Sequence, residues 1–224
     1  MFNREVYKKI PFVLDEEEIA NYVKIPTHSS RFSRVRKLIE FATQNCEINA
    51  VTKHCKCEYI ADNKIKIDDV IFDNILLSRL LKDKKDVVLY VCNLADIDTS
   101  TITESMKFMY ELMKSPIINA ASQYLRQSIK NKYGYEEISS LHPGSIPVWG
   151  IESNYTIVDM IGNVLEELNV SFTETGYLTP FSSTTGIIFE DHTNYLNCII
   201  CKKLDCISRH KPFDEDRYNQ LLRW

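Results

Sequence analysis

Phe172-Thr-Glu-Thr-Gly-Tyr-Leu-Thr-Pro-Phe-Ser-Ser-Thr-Thr-Gly-Ile-Ile-Phe189 is the stretch from which the fold is read. Val170 to Glu174 and Ile187 to Phe189 have the β-branched and aromatic content of strands. Between them, Pro180 to Gly186 carries four consecutive hydroxyl residues, Ser182, Ser183, Thr184 and Thr185, closed by a glycine. Turn chemistry is the commoner use of such a segment, and a phosphate or carboxylate site is the other.

Working outward, Ile157, Met160, Ile161, Val164, Leu165 and Leu168 recur at helical spacing and mark an amphipathic, core-facing helix. A loop precedes it, with two prolines and two glycines between Ser139 and Gly150, among them His142-Pro143-Gly144-Ser145. Gly144 allows a backbone there to come close to a ligand; a plain connection into the helix is the alternative. On the other side lies Cys198-Ile-Ile-Cys201-Lys-Lys-Leu-Asp-Cys206. A two-residue gap turns two thiolates toward one point and a four-residue gap can add a third, so the run points to zinc or an iron–sulfur cluster. His210, Cys55 and Cys57 are protein candidates for a fourth ligand, with water or a substrate atom as alternatives.

Toward the N-terminus, the acids from Asp15 to Glu18 predict a helix start. Phe32, Val35, Leu38, Ile39 and Ala42 predict a second helix beginning near Ser30. Ile48 to Ile67 alternates and turns at Asp62-Asn63, which predicts a hairpin with Cys55 and Cys57 on one strand face. Ile71 to Leu81 reads as a helix. Asp86 to Cys92 is almost continuously apolar, the mark of a strand covered on both sides. Thr101 to Met113 and Ile117 to Lys132 read as two helices separated by Pro116, the second capped by Gly134.

The 224 residues are 44% hydrophobic and 26% charged, an ordinary globular composition. A net charge of −4 gives no electrostatic case for nucleic acid. No apolar run approaches a membrane span, and the start of the chain lacks a signal-peptide core, so a soluble cytoplasmic protein is expected. Seven cysteines, most at short spacing, point to metal or redox chemistry more than to a disulfide framework.

From Ser139 to Phe213 the sequence resembles the activation domain of cobalamin-dependent methionine synthase. The likeness rests on His142-Pro-Gly-Ser145, the amphipathic helix, and Thr173, Glu174, Pro180, Ser183, Gly186 and Phe189 at the family's spacing. The tail Cys198, Cys201, Cys206, Arg209 and Pro212 is similar to that of short stand-alone relatives. The resemblance implies an α+β fold: a C-shaped single domain with a curved, mainly antiparallel sheet and flanking helices. It would span residues 1–224, with 1–47 a helical N-terminal region and 195–224 a cysteine-rich tail.

It further implies a partner carrying cobalamin, either methionine synthase or a related corrinoid methyltransferase, with an electron-donor protein beside it. The chain would then be a methyltransferase activation component in methionine biosynthesis that assists reductive remethylation of cobalamin. The cofactor-facing positions would be His142, Pro143, Gly144, Ser145, Glu174, Ser183 and Gly186, and the metal ligands Cys198, Cys201 and Cys206. The family's arginine for the S-adenosylmethionine carboxylate falls on Ser140, and its tyrosine after Pro-Gly on Ser145. Weak S-adenosylmethionine binding is therefore expected, since a hydroxyl cannot replace a bidentate charged fork. The alternative function is a non-catalytic, metal-stabilised binding module on the same fold.

Overall fold

A computed structural model describes residues 3–146, 148–206 and 209–223. Pro147 of the loop before the amphipathic helix and residues 207–208 of the cysteine tail lie outside them. In chain order the elements are β1 (Asn3–Tyr7), α1 (Glu16–Tyr22), α2 (Phe32–Asn45), β2 (Ile48–Ala61), β3 (Lys64–Ile67), β4 (Val70–Asp73), α3 (Ile75–Leu80), β5 (Asp86–Leu94) and α4 (Glu104–Tyr133). There follow β6 (Ile138–Leu141), α5 (Ser153–Ile161), α6 (Val164–Leu168), β7 (Ser171–Phe172), β8 (Leu178–Thr179), β9 (Ser183–Glu190), a 3₁₀ turn (Asn197–Ile199) and α7 (Glu215–Leu222).

The main sheet runs β4-β3-β2-β5-β9-β6, with β1 also paired to β2, and every pairing is antiparallel. Mixed helix and antiparallel sheet with flanking helices is the α+β class expected from the sequence. β5 is central: Asp86 to Lys56 and Leu94 to Ile48 bound its ladder with β2, and Val88 to Asn93 face β9. Its side chains alternate between two cores. Val87, Leu89 and Val91 join Ile187, Phe189, Trp149 and Ile157 on one face. Val88, Tyr90, Cys92 and Leu94 join Val35, Leu38, Tyr110 and Ile117 on the other. The apolar run is thus a strand covered on both sides, as its composition predicts.

Local chemistry sets several element ends. Asp15 accepts from the amides of Glu17 and Glu18 at the start of α1, and Asn74 does the same for Leu76 and Leu77 in α3. The Asn74 cap also corrects a boundary: Ile71 lies on β4, paired in a hairpin with β3, and helix starts only after Asn74. Gly134 ends α4 with φ +70. The amphipathic stretch from Ile157 to Leu168 splits into α5 and α6, because Gly162 at φ +78 and Asn163 at φ +54 leave the helical region. The N-terminal region contributes β1 as well as two helices. Arg4 of β1 donates to the carbonyls of Ile161 and Gly162 at the end of α5 and pairs with Glu167 at 2.6 Å.

Pro116 does not break α4 but sits buried inside it. An internal proline costs a helix about 3 kcal/mol. Met113, Ile117, Ile118, Ala121 and Leu125 around it are all buried on the second core, and burial of each large side chain contributes ~1.5–3 kcal/mol. Packing therefore outweighs the local propensity on which the two-helix reading rested.

Asn74 also donates from Nδ2 to the Val148 carbonyl at 2.7 Å, so one side chain caps α3 and fixes the loop leading to α5. Asn74→Ala is expected to cost at least ~1 kcal/mol, read as a lower urea midpoint with an unchanged slope. Asn74→Asp, which keeps the cap and loses the Val148 bond, should recover part of it.

Candidate functional site

The site forms where β6 leaves the sheet beside β9. Leu141 pairs with Ile187, and the chain then turns through His142-Pro143-Gly144-Ser145. The Ser145 amide and hydroxyl both donate to the His142 carbonyl, at 3.2 and 2.6 Å, and Gly144 N donates to Trp149 O at 2.7 Å. Gly144 has φ +76, and a Cβ there would lie 2.9 Å from the Ile151 side chain, so this turn requires glycine. Gly186 has a different reason to be glycine. A Cβ on it would meet the Leu141 carbonyl at 2.4 Å and His142 Nδ1 at 3.1 Å. Its bareness lets β6 and the histidine close onto β9.

His142 is held over this gap. Its Nδ1 lies 3.0 Å from the Thr185 carbonyl and 3.1 Å from the Tyr90 hydroxyl. A carbonyl can only accept, so Nδ1 carries the proton in that contact. Ser140 Oγ lies 3.4 Å from Nε2. Burial depresses the His142 pKa, the Thr185 bond opposes this, and the Arg126 charge adds to the depression; the net shift is downward. The imidazole is therefore neutral at pH 7. Tyr90, inside the second core, has its phenol pushed far up by burial.

A cavity of about 240 Å³ opens beside this histidine. His142, Pro143 and Ile151 line it on one side, and Leu178, Ser183, Thr184 and Thr185 on the other. Tyr177 and Phe181 also line it, at 49% and 76% exposure, with rings 6.4 Å apart. Asn154 of α5 is the brace: it accepts from the Thr185 hydroxyl and donates to Gly176 O at 3.0 Å, tying β9 to the 173–177 turn. Ser183 Oγ lies 3.0 Å from Asn93 Oδ1 and 2.7 Å from Pro180 O, two acceptors that share its single proton. Among the described residues lining the cavity there is no Asp, Glu, Lys or Arg. Of the larger clefts, those of about 360 and 320 Å³ have charged walls of both signs, including the Arg79–Asp62 pair, one of about 290 Å³ carries Asp159 and Glu166, and none of the three opens onto a predicted cofactor-facing position.

Of the predicted positions, His142, Pro143 and Ser183 line the cavity, while Gly144 and Gly186 shape it from behind. Glu174 is exposed on the turn and outside the lining, and Ser145 faces away toward the tail. Asn154, Tyr177 and Phe181 were not singled out from the sequence. Asn154 had a signal, an amide on the otherwise apolar side of an amphipathic helix.

The cysteine tail is brought to the same turn. Asn197 Nδ2 donates to Ser145 Oγ at 2.6 Å. Upstream, Asp191 accepts from the Ser139 hydroxyl, the Tyr195 amide and the Thr193 amide and hydroxyl. Burial raises its pKa, but these four bonds outweigh that and hold the carboxyl below its usual range. Arg209 closes the loop, donating to the carbonyls of Cys198, Cys201, Lys203 and Lys211 at 2.8–3.0 Å. Three thiols on one loop suit a soft metal in kind. Their placement does not: among the described residues no group of three or more His, Cys, Asp or Glu side chains comes together to hold a metal ion. The expected convergence of Cys198, Cys201 and Cys206 is thus not seen; the loop is gathered on a guanidinium. Nor is any helix among the described residues long and apolar enough to cross a membrane.

No protein-family model and no curated protein matches the sequence. Among solved structures, the chain is similar in fold to the MetH reactivation domain bound to AdoHcy, with a TM-score of 0.60 and 11% identity over 87% of this chain and 80% of that one.

Two outcomes test the site's construction. Gly186→Ala must push a methyl into the Leu141 carbonyl and should destabilise by ~1–3 kcal/mol, as overpacking does, measured by denaturant unfolding. His142 gives a pH signature. The unfolded chain takes up its proton near pH ~6.5, whereas the folded protein resists until lower pH. Its contribution is fully present above that value and lost as pH falls through it. Stability should therefore decline in the wild type as pH falls below about 6.5, and His142→Gln should flatten that part of the profile.

Proposed function

We propose that the chain is a reactivation partner, acting in trans, of a cobalamin-dependent methionine synthase or a related corrinoid methyltransferase. The observation that carries this reading is a coincidence of place. The fold is similar to that of a reactivation domain whose structure holds AdoHcy, and the sequence features resembling that family, His142-Pro-Gly-Ser145 and Thr173 to Gly186, fold around one cavity. The aromatic rim of Tyr177 and Phe181 gives a partner's cofactor an apolar surface to rest on. Cobalamin would come with the partner, and reduction with a donor protein.

The chain's own residues do limited work in this reading. His142, neutral and fixed by Thr185, offers a hydrogen-bond acceptor rather than a charge. The hydroxyls of Ser183 and Thr184 orient a polar group. Glu174, exposed on the turn, is the charge nearest the rim in sequence and meets a donor on the partner. The neutral walls favour a second reading for S-adenosylmethionine itself: the fold serves as a binding module and docks without gripping the amino-acid end. Ser140 stands on β6 beside His142, where the family resemblance calls for arginine. Zinc or an iron–sulfur cluster has no part in this proposal.

The test is methylation of cob(II)alamin on a purified corrinoid partner, followed by absorbance, with reductant and S-adenosylmethionine present. Adding the chain should accelerate it; no change across a panel of corrinoid partners would defeat the proposal. Calorimetry should show S-adenosylmethionine bound roughly ten- to a hundredfold more weakly than a site with the guanidinium fork, since one hydrogen bond to a charged group is worth ~1.5–3 kcal/mol. Ser140→Arg should recover part of that. Glu174→Gln should slow activation and leave the melting temperature within a degree or so, because an exposed side chain contributes little to stability.

A further inference from the structure

Two of the tail cysteines are placed for another chemistry. Ile199 N donates to Leu196 O at 3.0 Å, Ile200 N to Asn197 O at 3.2 Å, and Cys201 N to Cys198 O at 3.4 Å. These are successive i→i+3 bonds, the 3₁₀ pattern, in which side chains at i and i+3 eclipse. Cys198 and Cys201 are therefore the first and last residues of one turn that continues from the 3₁₀ segment. Residues closing such a turn have Cα atoms within about 7 Å, and a disulfide spans roughly 4.4–6.8 Å. Cys206 belongs to a different turn, in which its own amide bonds Lys203 O and its carbonyl accepts from Arg209 N.

Two further observations mark this pair as a built feature. Arg209 grips both of its carbonyls, Cys198 O through Nη1 and Cys201 O through Nη2, each at 2.8 Å. One planar fork thus sets the separation of the two residues. The four cysteines outside the tail are withdrawn from thiolate chemistry. Burial pushes the thiols of Cys57 and Cys92 up to about 12 and that of Cys55 higher still, and burial also raises Cys46, against the opposing effect of its hydrogen bond with Tyr110. Cys198 and Cys201 are only half-buried, within reach of a small reagent.

We propose that Cys198 and Cys201 are a redox-active dithiol that closes to an intramolecular disulfide by exchange with a low-molecular-weight disulfide. One thiolate attacks the small disulfide, forming a mixed disulfide and releasing one small thiolate. The second cysteine then attacks the protein sulfur of that bond, forming Cys198–Cys201 and releasing the other. Two electrons pass to the small disulfide, and the two thiol protons end on the two small thiols. Cys198 follows Asn197, whose side chain holds Ser145 of the His142–Ser145 turn, so the pair lies beside the turn that carries His142 and Pro143 into the cavity wall. This inference does not depend on the proposed reactivation role.

The experiment uses the full chain purified without oxygen. Metal content is measured first. The protein is then equilibrated with glutathione–glutathione disulfide mixtures, quenched by alkylation and mapped by peptide mass. The expected result is protein free of iron and zinc, with Cys198 and Cys201 lost together to one disulfide as the mixture becomes oxidising. Cys206→Ser should behave alike, while Cys198→Ser and Cys201→Ser should each stop at a single glutathione adduct. The proposal is overturned if both thiols stay alkylatable in glutathione disulfide alone, or if Cys206 supplies the partner sulfur. It is equally overturned if about one equivalent of zinc, or a cluster's iron, is found and is lost in each of the three serine variants.

Discussion

Strand β5 has no face toward water. Eight of its nine residues are buried, and its backbone groups are satisfied by β2 on one side and β9 on the other. An antiparallel sheet usually leaves one face wet. Here both must be covered, and the chain meets the demand with α1, α2 and α4 on one side and α3, α5, α6 and α7 on the other. The burial of Pro116 within α4 follows from the same demand, since a helix broken there would uncover the middle of β5. So does the position of the cavity: β9 must lie against β5, and His142 reaches β9 only because Gly186 is bare.

The chemistry of the cavity is set by what is missing from its wall as much as by what is present. A neutral imidazole, hydroxyls already bonded to backbone or amide partners, and two aromatic rings make a surface that can accept an apolar or weakly polar group. A zwitterion would have to leave its hydration without a charged partner, which is costly in a partly buried site. The buried parts, Asn154 and Thr185, are inside, and the exposed parts, Tyr177 and Phe181, are at the rim. Such an arrangement recognises a large surface pressed against it better than a small ion diffusing into it.

The elements whose identity depends on local pattern were legible in the sequence: the β2–β3 hairpin, β5, the Gly134 cap and the amphipathic stretch ahead of Phe172. What misled was local pattern overruled at a distance. Ile71 has helical neighbours, yet pairing of β4 with β3 takes it. Gly162-Asn163 is a helix break written in the sequence, masked by an apolar stripe that continues across it. Within the site, His142 and Ser183 were readable from the family-like motif. Asn154 and the aromatic rim were not, because their roles come from a meeting of α5, the 173–177 turn and β9 that no single window contains. The cysteine spacing reads as a ligand set; the same spacing also closes a turn, whose two end carbonyls Arg209 binds.

The insertion of β9 between β5 and β6 bears on how the chain is made. Until β9 emerges, β5 has β2 along one edge and nothing along the other, and β6 has no partner at all. At ~5–20 residues per second, that interval lasts on the order of ten seconds on the ribosome. Throughout it, a long, flat, apolar strand edge is open to any extended segment that passes. Sheet closure by a late strand also raises the sequence separation of the contacts that must form, which slows folding. A nascent chain of this kind is a natural client for chaperones that shield strand edges, and the interval before β9 is when that shielding counts most.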